Sequence, residues 1–395
     1  MTVITLREGA PSTVLRMEEA LAAKIQELKI ATVTPAGHGD WTLSNIARVG
    51  VVRVLDTTLR IEPKVPIARL FYLLSRSAGW NEWRDDRVHL ESIDDLYPAI
   101  VGLFSRMAED QLRRGVLRSY RTERRSEPYV RGRWLVGEQI RLRQGLPLPA
   151  ELEIDEYSDD IAENRLLKSA ARKALRAPFL SSSARRELHL IDHHLAEVHV
   201  LTRGVPLPSV RIDRLNSRFA SALALARLIL EDASLDHDPS DVAASGFLLT
   251  MASVFERFVQ AEVSLAAQRV GGRIVPQHRS HLDRDLLVEV KPDLVWLDGL
   301  TVRAIFDAKY KAEKPAGYPN ADVYQMLAYC LRHGVDSGHL IYAAGNETPA
   351  RYVIETAGVT VVCHALDLDT SPPDLSAQIG RIVEEAGLRR NVLVG

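Results

Sequence analysis

The sequence predicts an α+β multidomain chain, and three observations carry that expectation. Its 395 residues exceed what one hydrophobic core usually supports, so two or three domains are expected. The apolar periodicity changes character near residues 92 and 235, from a mixture of short β-type runs and helices to a mostly helical stretch and back. The final part then alternates helical periods with extended apolar runs.

Residues 1–92 carry β-type runs at Thr2 to Leu6, Ile30 to Pro35, Val51 to Leu55 and Leu59 to Ile61, with helical periods at Met17 to Leu28 and Ile67 to Ser77; this reads as a small α+β module. Residues 93–235 are mostly helical by period and rich in arginine, with turns at Gly145 to Pro149 and Gly204 to Pro208. Residues 236–395 open on a long helix, Phe247 to Gln268, whose packing stripe is Phe255, Phe258 and Val259 with Glu256 among them. A second helix contains Asp322 to Cys330, and strands follow at His339 to Ala344 and Gly358 to Ala365. The net charge of −2 excludes a globally basic nucleic-acid binder and leaves local patches as the question. Two cysteines, Cys330 and Cys363, make no disulfide framework and fit a reducing cytoplasm. Apolar runs never reach the length of about 18 residues that a membrane span needs, and Met1 to Leu21 lacks the apolar region of a signal peptide, so neither membrane nor export is expected. The G-x-x-x-x-G-K-[ST] pattern is absent, so no nucleotide site is expected in this chain.

The densest chemistry lies in Lys291 to Lys311, KPDLVWLDGLTVRAIFDAKYK. Pro292 favours an extended backbone at Lys291 and is tolerated at a strand start, so Asp293 sits where a strand begins. Leu294 to Leu297 are strand formers, Asp298-Gly299 supplies turn chemistry, and Thr301 to Lys309 resumes a strand, which makes a hairpin. By the period of two, Arg303, Ile305, Asp307 and Lys309 share one face and Val302, Ala304, Phe306 and Ala308 the other. An odd-length loop pairs Asp293 with Ile305 and sets it on the face of Asp307 and Lys309; a two-residue loop turns it away, so the site requires a bulged or three-residue turn. Two carboxylates and an ammonium at one point suit a hard divalent cation held against a phosphodiester, whereas a solvated hairpin with an Asp–Lys surface pair is the simpler alternative. In the following helix Asp322, Gln325 and Tyr329 fall at i, i+3 and i+7 on one face, where Gln and Tyr can position a water or a phosphate oxygen.

This order of helix, PD, D-x-K and a helix with Q-x-x-x-Y resembles the PD-(D/E)xK nuclease superfamily, a mixed central sheet flanked by helices. Within it, Pro292-Asp293, Asp307-Ala308-Lys309-Tyr310-Lys311 and Asp322-Val323-Tyr324-Gln325 are similar to the McrC-like nuclease subunits of McrBC-type, modification-dependent restriction systems. The resemblance continues upstream in IEPKVPIARLFYLL (61–74), VRGRW (130–134) and DEYSDDIAENRLLKSAARKAL (155–175), nearly the whole chain. It implies a C-terminal PD-(D/E)xK domain over 236–395, an N-terminal module over 1–92 that engages a McrB-like AAA+ GTPase hexamer and stimulates its hydrolysis, and cleavage of double-stranded DNA only in that assembly. On this reading Asp293 and Asp307 bind Mg²⁺, with Mn²⁺ able to substitute, aided by the carbonyl of Ala308 and by Glu256. Lys309 then stabilises the transition state, Gln325 orients water or Lys309, and Tyr329 and Asp322 support the site from behind.

Between Arg113 and Arg143 the chain concentrates arginines, interleaved with Tyr120, Tyr129 and Trp134, which suits phosphate contact and stacking; Arg131, Arg133 and Lys311 are the candidate DNA contacts. Seven acids between Glu151 and Glu163 offer the alternative, neutralisation within the fold. Two rival functions stand beside the main one. A stand-alone RecB-like exonuclease shares the triad but needs none of the upstream elements, and a non-catalytic assembly subunit has no use for Asp293, Asp307 and Lys309.

Overall fold

The computed structural model describes residues 2–77, 96–144, 146–176, 180–202, 204–232, 244–310, 318–343 and 348–388. The chain folds as two compact units, one made of Met1–Leu96 together with Leu235–Gly395, the other of Tyr97–Ser234. This division differs from boundaries near 92 and 235. The reason is a strand: Ala244–Thr250 pairs antiparallel with Arg48–Val54, so the C-terminal part begins as an edge of the N-terminal sheet. That sheet runs Thr2–Arg7, Thr57–Glu62, Arg48–Val54, Ala244–Thr250, with the first two strands parallel. Phe247 to Thr250, expected to be helical, is therefore extended, and the helix spans Met251–Val270.

The helix Ile67–Ser77 packs on Met251–Val270, with the Tyr72 and Phe258 rings 5.9 Å apart. The Tyr72 hydroxyl lies 3.0 Å from Ser376 Oγ on the last helix, Pro372–Leu388, and Arg76 makes an ion pair with buried Glu262. Phe255, Phe258, Trp296 and Phe306 are fully buried, and burial of side chains of this size contributes roughly 1.5–3 kcal/mol each.

The C-terminal sheet has six strands in the order Arg273–Pro276, Leu294–Asp298, Thr301–Lys309, Ser337–Ala343, Val359–Leu366, Ala350–Ile354. The three central strands run parallel and the flanking ones antiparallel, so the sheet is mixed. Helix Asn320–His333 covers one face; Met251–Val270 and Pro372–Leu388 pack together against the sheet as well. Gly338 permits the approach of the first, because a β-carbon there would collide with the sulfurs of Met326 and Cys330. Coverage on both faces explains why Ala304 to Asp307 are all buried, where alternation alone predicts one packed and one solvated face.

The second unit holds a three-stranded sheet, Ser119–Glu127, Ala150–Ser158, Arg133–Trp134, among the helices Val136–Arg143, Ala162–Ala174, Ser182–His194 and Ala220–Asp232. A mostly helical reading of this region passes over two nine-residue strands. Ala150, Leu152 and Ile154 alternate inward with period two, and charged residues oppose one another across the ladder, Arg121 to Glu156 and Arg124 to Glu153. No described helix is long and apolar enough to cross a membrane.

Candidate active site

The hairpin closes with Asp298 opposite Thr301, a two-residue turn with Gly299 at φ +62°. Carried inward unchanged, that register would set Asp293 opposite Phe306, facing away from Asp307. A β-bulge intervenes: Trp296 pairs with Ala304 but Leu297 with Val302, so Arg303 is an extra residue. Beyond the bulge Leu294 lies opposite Phe306, and one residue further the register brings Asp293 opposite Asp307. Pairing of Asp293 with Ile305 is not found, but the required face is reached, through a bulge rather than a longer loop. Arg303 itself lies over the Trp296 ring at 5.1 Å, with its Nη2 3.5 Å from Asp298.

Around this point the residues interlock. The Ala308 backbone N–H donates to Asp293 Oδ2 at 2.9 Å. Lys309 Nζ lies 2.5 Å from Asp307 Oδ2 and donates to Gln325 Oε1 at 2.8 Å. Gln325 Nε2 donates to the Tyr329 hydroxyl at 2.8 Å, and Tyr329 donates to the Lys291 carbonyl at 3.3 Å. A relay therefore runs from the ammonium through helix Asn320–His333 back to the Lys291-Pro292-Asp293 segment. Gln325 and Tyr329 stand as their helical spacing predicts. Asp322 does not join them: it is buried and accepts from the Tyr342 hydroxyl at 2.8 Å, which anchors the helix to the sheet.

Gln277 joins the site although no motif in the sequence marks it. Its Nε2 donates to Asp293 Oδ1 at 3.1 Å and also to Glu256 Oε1, while its backbone N–H donates to the Asp293 carbonyl at 2.7 Å. It does so from a left-handed backbone, φ +50°, just past strand Arg273–Pro276. Its one sequence signal is a polar residue closing a short β-run, which is common. Glu256 is thus joined to Asp293 through the one Gln277 amide, and its charge is coupled to those of both aspartates.

Burial, followed by the charge of Asp307, pushes the Asp293 carboxyl up to about 7. Burial and the same Asp307 charge raise Glu256, and burial with Asp307 and Asp293 moves the Tyr329 hydroxyl up to about 12. Like charges and burial act together on these groups. Asp307 Oδ2 is buried without a hydrogen-bond donor, so its contact with Lys309 is a charge pair of poor angle. Among the described residues no group of three or more His, Cys, Asp or Glu stands ready to hold a metal. Two carboxylates and a main-chain carbonyl nevertheless match the way Mg²⁺ is commonly held, by one or two carboxylates with its remaining positions taken by water. A buried carboxylate oxygen without a hydrogen-bond donor, beside a second carboxylate, is the kind of ligand such an ion takes, and Asp293 and Asp307 fit it.

The arginine-rich sheet presents a different picture. Arg121 pairs with Asp160 at 2.9 Å, Arg124 with Glu138 at 2.8 Å, Arg125 with Glu156 at 2.8 Å and Arg143 with Glu151 at 3.0 Å. Arg131 and Arg133 are exposed and lie 3.6 Å from Glu127 and 3.3 Å from Glu153. Between them Gly132, at φ +82°, leaves no room for a β-carbon, which would come within 2.6 Å of the Glu153 carbonyl. Lys311 lies outside the described residues. The N-R-x-L-K element is structural: Asn164 donates to the Leu117 and Asp159 carbonyls, Arg165 grips Asp160, and buried Lys168 donates to the carbonyls of Leu195, Ala196 and Val198.

A family model described as McrBC 5-methylcytosine restriction system component matches residues 43–343, well over half of the chain. The chain belongs to the McrBC family. No curated protein matches it. Among solved structures it is similar to a chain of the refined half-complex from the tetradecameric assembly of Thermococcus gammatolerans McrB AAA+ hexamers with bound McrC. That likeness has 19% identity over 99% of this chain and 100% of the other, with a TM-score of 0.57, and it bears on the fold alone. The cryo-EM structure of the Thermococcus gammatolerans McrBC complex matches more loosely, at 22% identity over 68% of this chain and 88% of the other and a TM-score of 0.41. Membership in the McrBC family covers the PD, D-x-K and Q-x-x-x-Y residues, all of which fall within the matched span.

Proposed function

We propose that this chain is the McrC-like nuclease subunit of a McrBC-type restriction system, a PD-(D/E)xK endonuclease that cuts double-stranded DNA when assembled with an AAA+ GTPase hexamer in the cytoplasm. One observation carries the reading: Asp293 and buried Asp307 share a face beside Lys309, and one Asp307 oxygen has no hydrogen-bond donor. Structural ion pairs are normally hydrogen-bonded as well as charged, and here the Asp307 oxygen beside the ammonium has no hydrogen-bond donor.

In this reading Asp293, Asp307 and the Ala308 carbonyl would hold Mg²⁺, or Mn²⁺ in its place, aided by Glu256, which the Gln277 amide joins to Asp293. When bound, the ion would supply an acidified water and positive charge against the phosphodiester. Lys309 holds a fixed positive charge where negative charge builds in the transition state. Gln325 aims that ammonium, Tyr329 keeps the Gln325 amide from turning, and the Ala308 N–H fixes the Asp293 carboxylate. The N-terminal module of residues 1–92 seats the GTPase and stimulates it, and Arg131 and Arg133 offer phosphate contacts from the second unit.

The test is cleavage of DNA containing 5-methylcytosine by the chain reconstituted with its AAA+ partner, GTP and Mg²⁺. Cutting that chelation abolishes and that Asp307→Ala removes, with GTP hydrolysis retained, is the expected result. Undiminished cutting by Asp307→Ala would overturn the proposal, and cutting by the isolated chain without nucleotide would favour a stand-alone nuclease.

A further inference from the structure

The residue after the site lysine, Tyr310, does not continue into solvent. Its hydroxyl donates to Glu8 Oε2 at 3.2 Å, and the Lys64 backbone N–H donates to the same oxygen at 3.1 Å. The Lys64 ammonium lies 4.4 Å from the Tyr310 ring centroid, and the Phe255 ring also packs against it, at 5.7 Å. Glu8 follows strand Thr2–Arg7 and continues its pairing, its N–H donating to the Glu62 carbonyl at 2.9 Å; Lys64 lies just beyond the partner strand Thr57–Glu62. Phe255 immediately precedes Glu256 on the long helix. Both ends of one compact unit therefore meet on a single tyrosine placed directly after Lys309.

This cluster carries a burial cost that three contacts offset in part. Glu8 is 4% exposed, and burial raises its carboxyl above the usual range. An apolar pair would pack there without that penalty. A buried carboxylate directed at one tyrosine hydroxyl fixes position, because the hydrogen bond is directional where an apolar contact is not. The same geometry gives the Pro63-Lys64 element, a short stretch before a helix, a defined role, since Lys64 grips both the carboxylate and the ring.

We infer that the Glu8–Tyr310 hydrogen bond, backed by Lys64, is a positioning link through which the N-terminal sheet sets the end of the Asp307–Lys309 strand. A partner that displaces strands Thr2–Arg7 and Thr57–Glu62 would thereby shift Ala308 and Lys309, coupling the seating of the GTPase to the arming of the site. The inference rests on the nuclease reading above.

The experiment counts DNA cuts per GTP hydrolysed in the reconstituted complex. Tyr310→Phe keeps the ring against Phe255 and under Lys64 and removes only the hydroxyl. Glu8→Leu removes the acceptor, while Glu8→Gln keeps an acceptor oxygen. The expected result is a fall of about tenfold in cuts per GTP for Tyr310→Phe and for Glu8→Leu, no further fall in the double variant, and near-wild-type behaviour for Glu8→Gln. GTPase stimulation stays at the wild-type level for Tyr310→Phe, which lies outside the N-terminal module. If Tyr310→Phe cuts as wild type while Asp307→Ala is dead, the link is refuted and the nuclease reading stands. An equal fall in GTPase stimulation would also overturn the link, since it would report lost assembly. Wild-type cutting by Asp307→Ala would remove the nuclease reading and this inference with it. Tyr310→Phe decides the matter even where Glu8→Leu does not fold, a point checked by thermal melting.

Discussion

Two regions of this protein are dense in charge, and they are built in opposite ways. On the sheet of the second unit, arginines and acids face each other across Ser119–Glu127 and Ala150–Ser158, half-buried to exposed, with an acid beside each of Arg121, Arg124, Arg125 and Arg143. At the Pro292–Lys309 hairpin fewer charges are present, yet Asp307 is buried beside a second carboxylate, with one of its oxygens given no hydrogen-bond donor and set against Lys309. Charge density alone is therefore a poor guide to chemistry. A satisfied network near the surface contributes modest stability, whereas a buried carboxylate oxygen without a hydrogen-bond donor calls for a separate explanation.

The sharpest way to test that contrast is to remove the cation at the hairpin. Lys309→Ala is expected to lower partner-dependent cleavage by about 10² to 10³, the usual loss when a transition-state stabiliser goes, with the melting temperature little changed. Gln277→Leu comes next: with Asp293 and Glu256 no longer bridged, cleavage should fall about tenfold, and the Mg²⁺ concentration for half-maximal cutting should rise.

A third test concerns stability rather than rate. His339 and His364 stack in the C-terminal sheet, Nδ1 to Nε2 at 3.0 Å, and burial, with the neighbouring His364 and Arg351, lowers His339 to about 3; burial and Arg351 lower His364 to about 4. Their folded values lie below the unfolded value near 6.5, so the unfolded chain binds protons first and stability is lost as pH falls below about 6.5. The expected loss is about 1 kcal/mol per pH unit per ring between 6.5 and 4.5, read as the pH dependence of thermal unfolding, and His339→Phe should flatten it. The smallest effect belongs to the paired arginines. Arg124→Ala should change stability by no more than about 0.5 kcal/mol, while Arg133→Ala should weaken DNA binding evenly across sequences and reduce the salt slope by about one. A larger stability change at Arg124 would break the contrast between the two regions.

Much of the site is legible in the sequence because its signals are local. Pro292 before Asp293, the Asp298-Gly299 turn and the D-A-K run specify a hairpin, and the i, i+4 spacing of Gln325 and Tyr329 places both on one helical face. The demand for a bulge or an odd loop is also readable, since parity decides which face Asp293 takes. The arginine stretch reads as helical, wrongly, because its alternation lies in charge, with few apolar residues to mark a period of two. The extension of Phe247 to Thr250 is hidden because its partner strand lies nearly 200 residues earlier, at Arg48–Val54.

The sequence by itself determined the family, the acidic hairpin and the chemistry its residues suit, since residue type, short spacing and turn propensity are encoded locally. Only the tertiary structure decided that Arg303 is the bulged residue, that Gln277 bridges Asp293 and Glu256, that Asp322 turns to Tyr342, and that Glu8 meets Tyr310 across 302 positions. Those contacts depend on strand register and on packing between segments far apart in the chain, and no local pattern carries either.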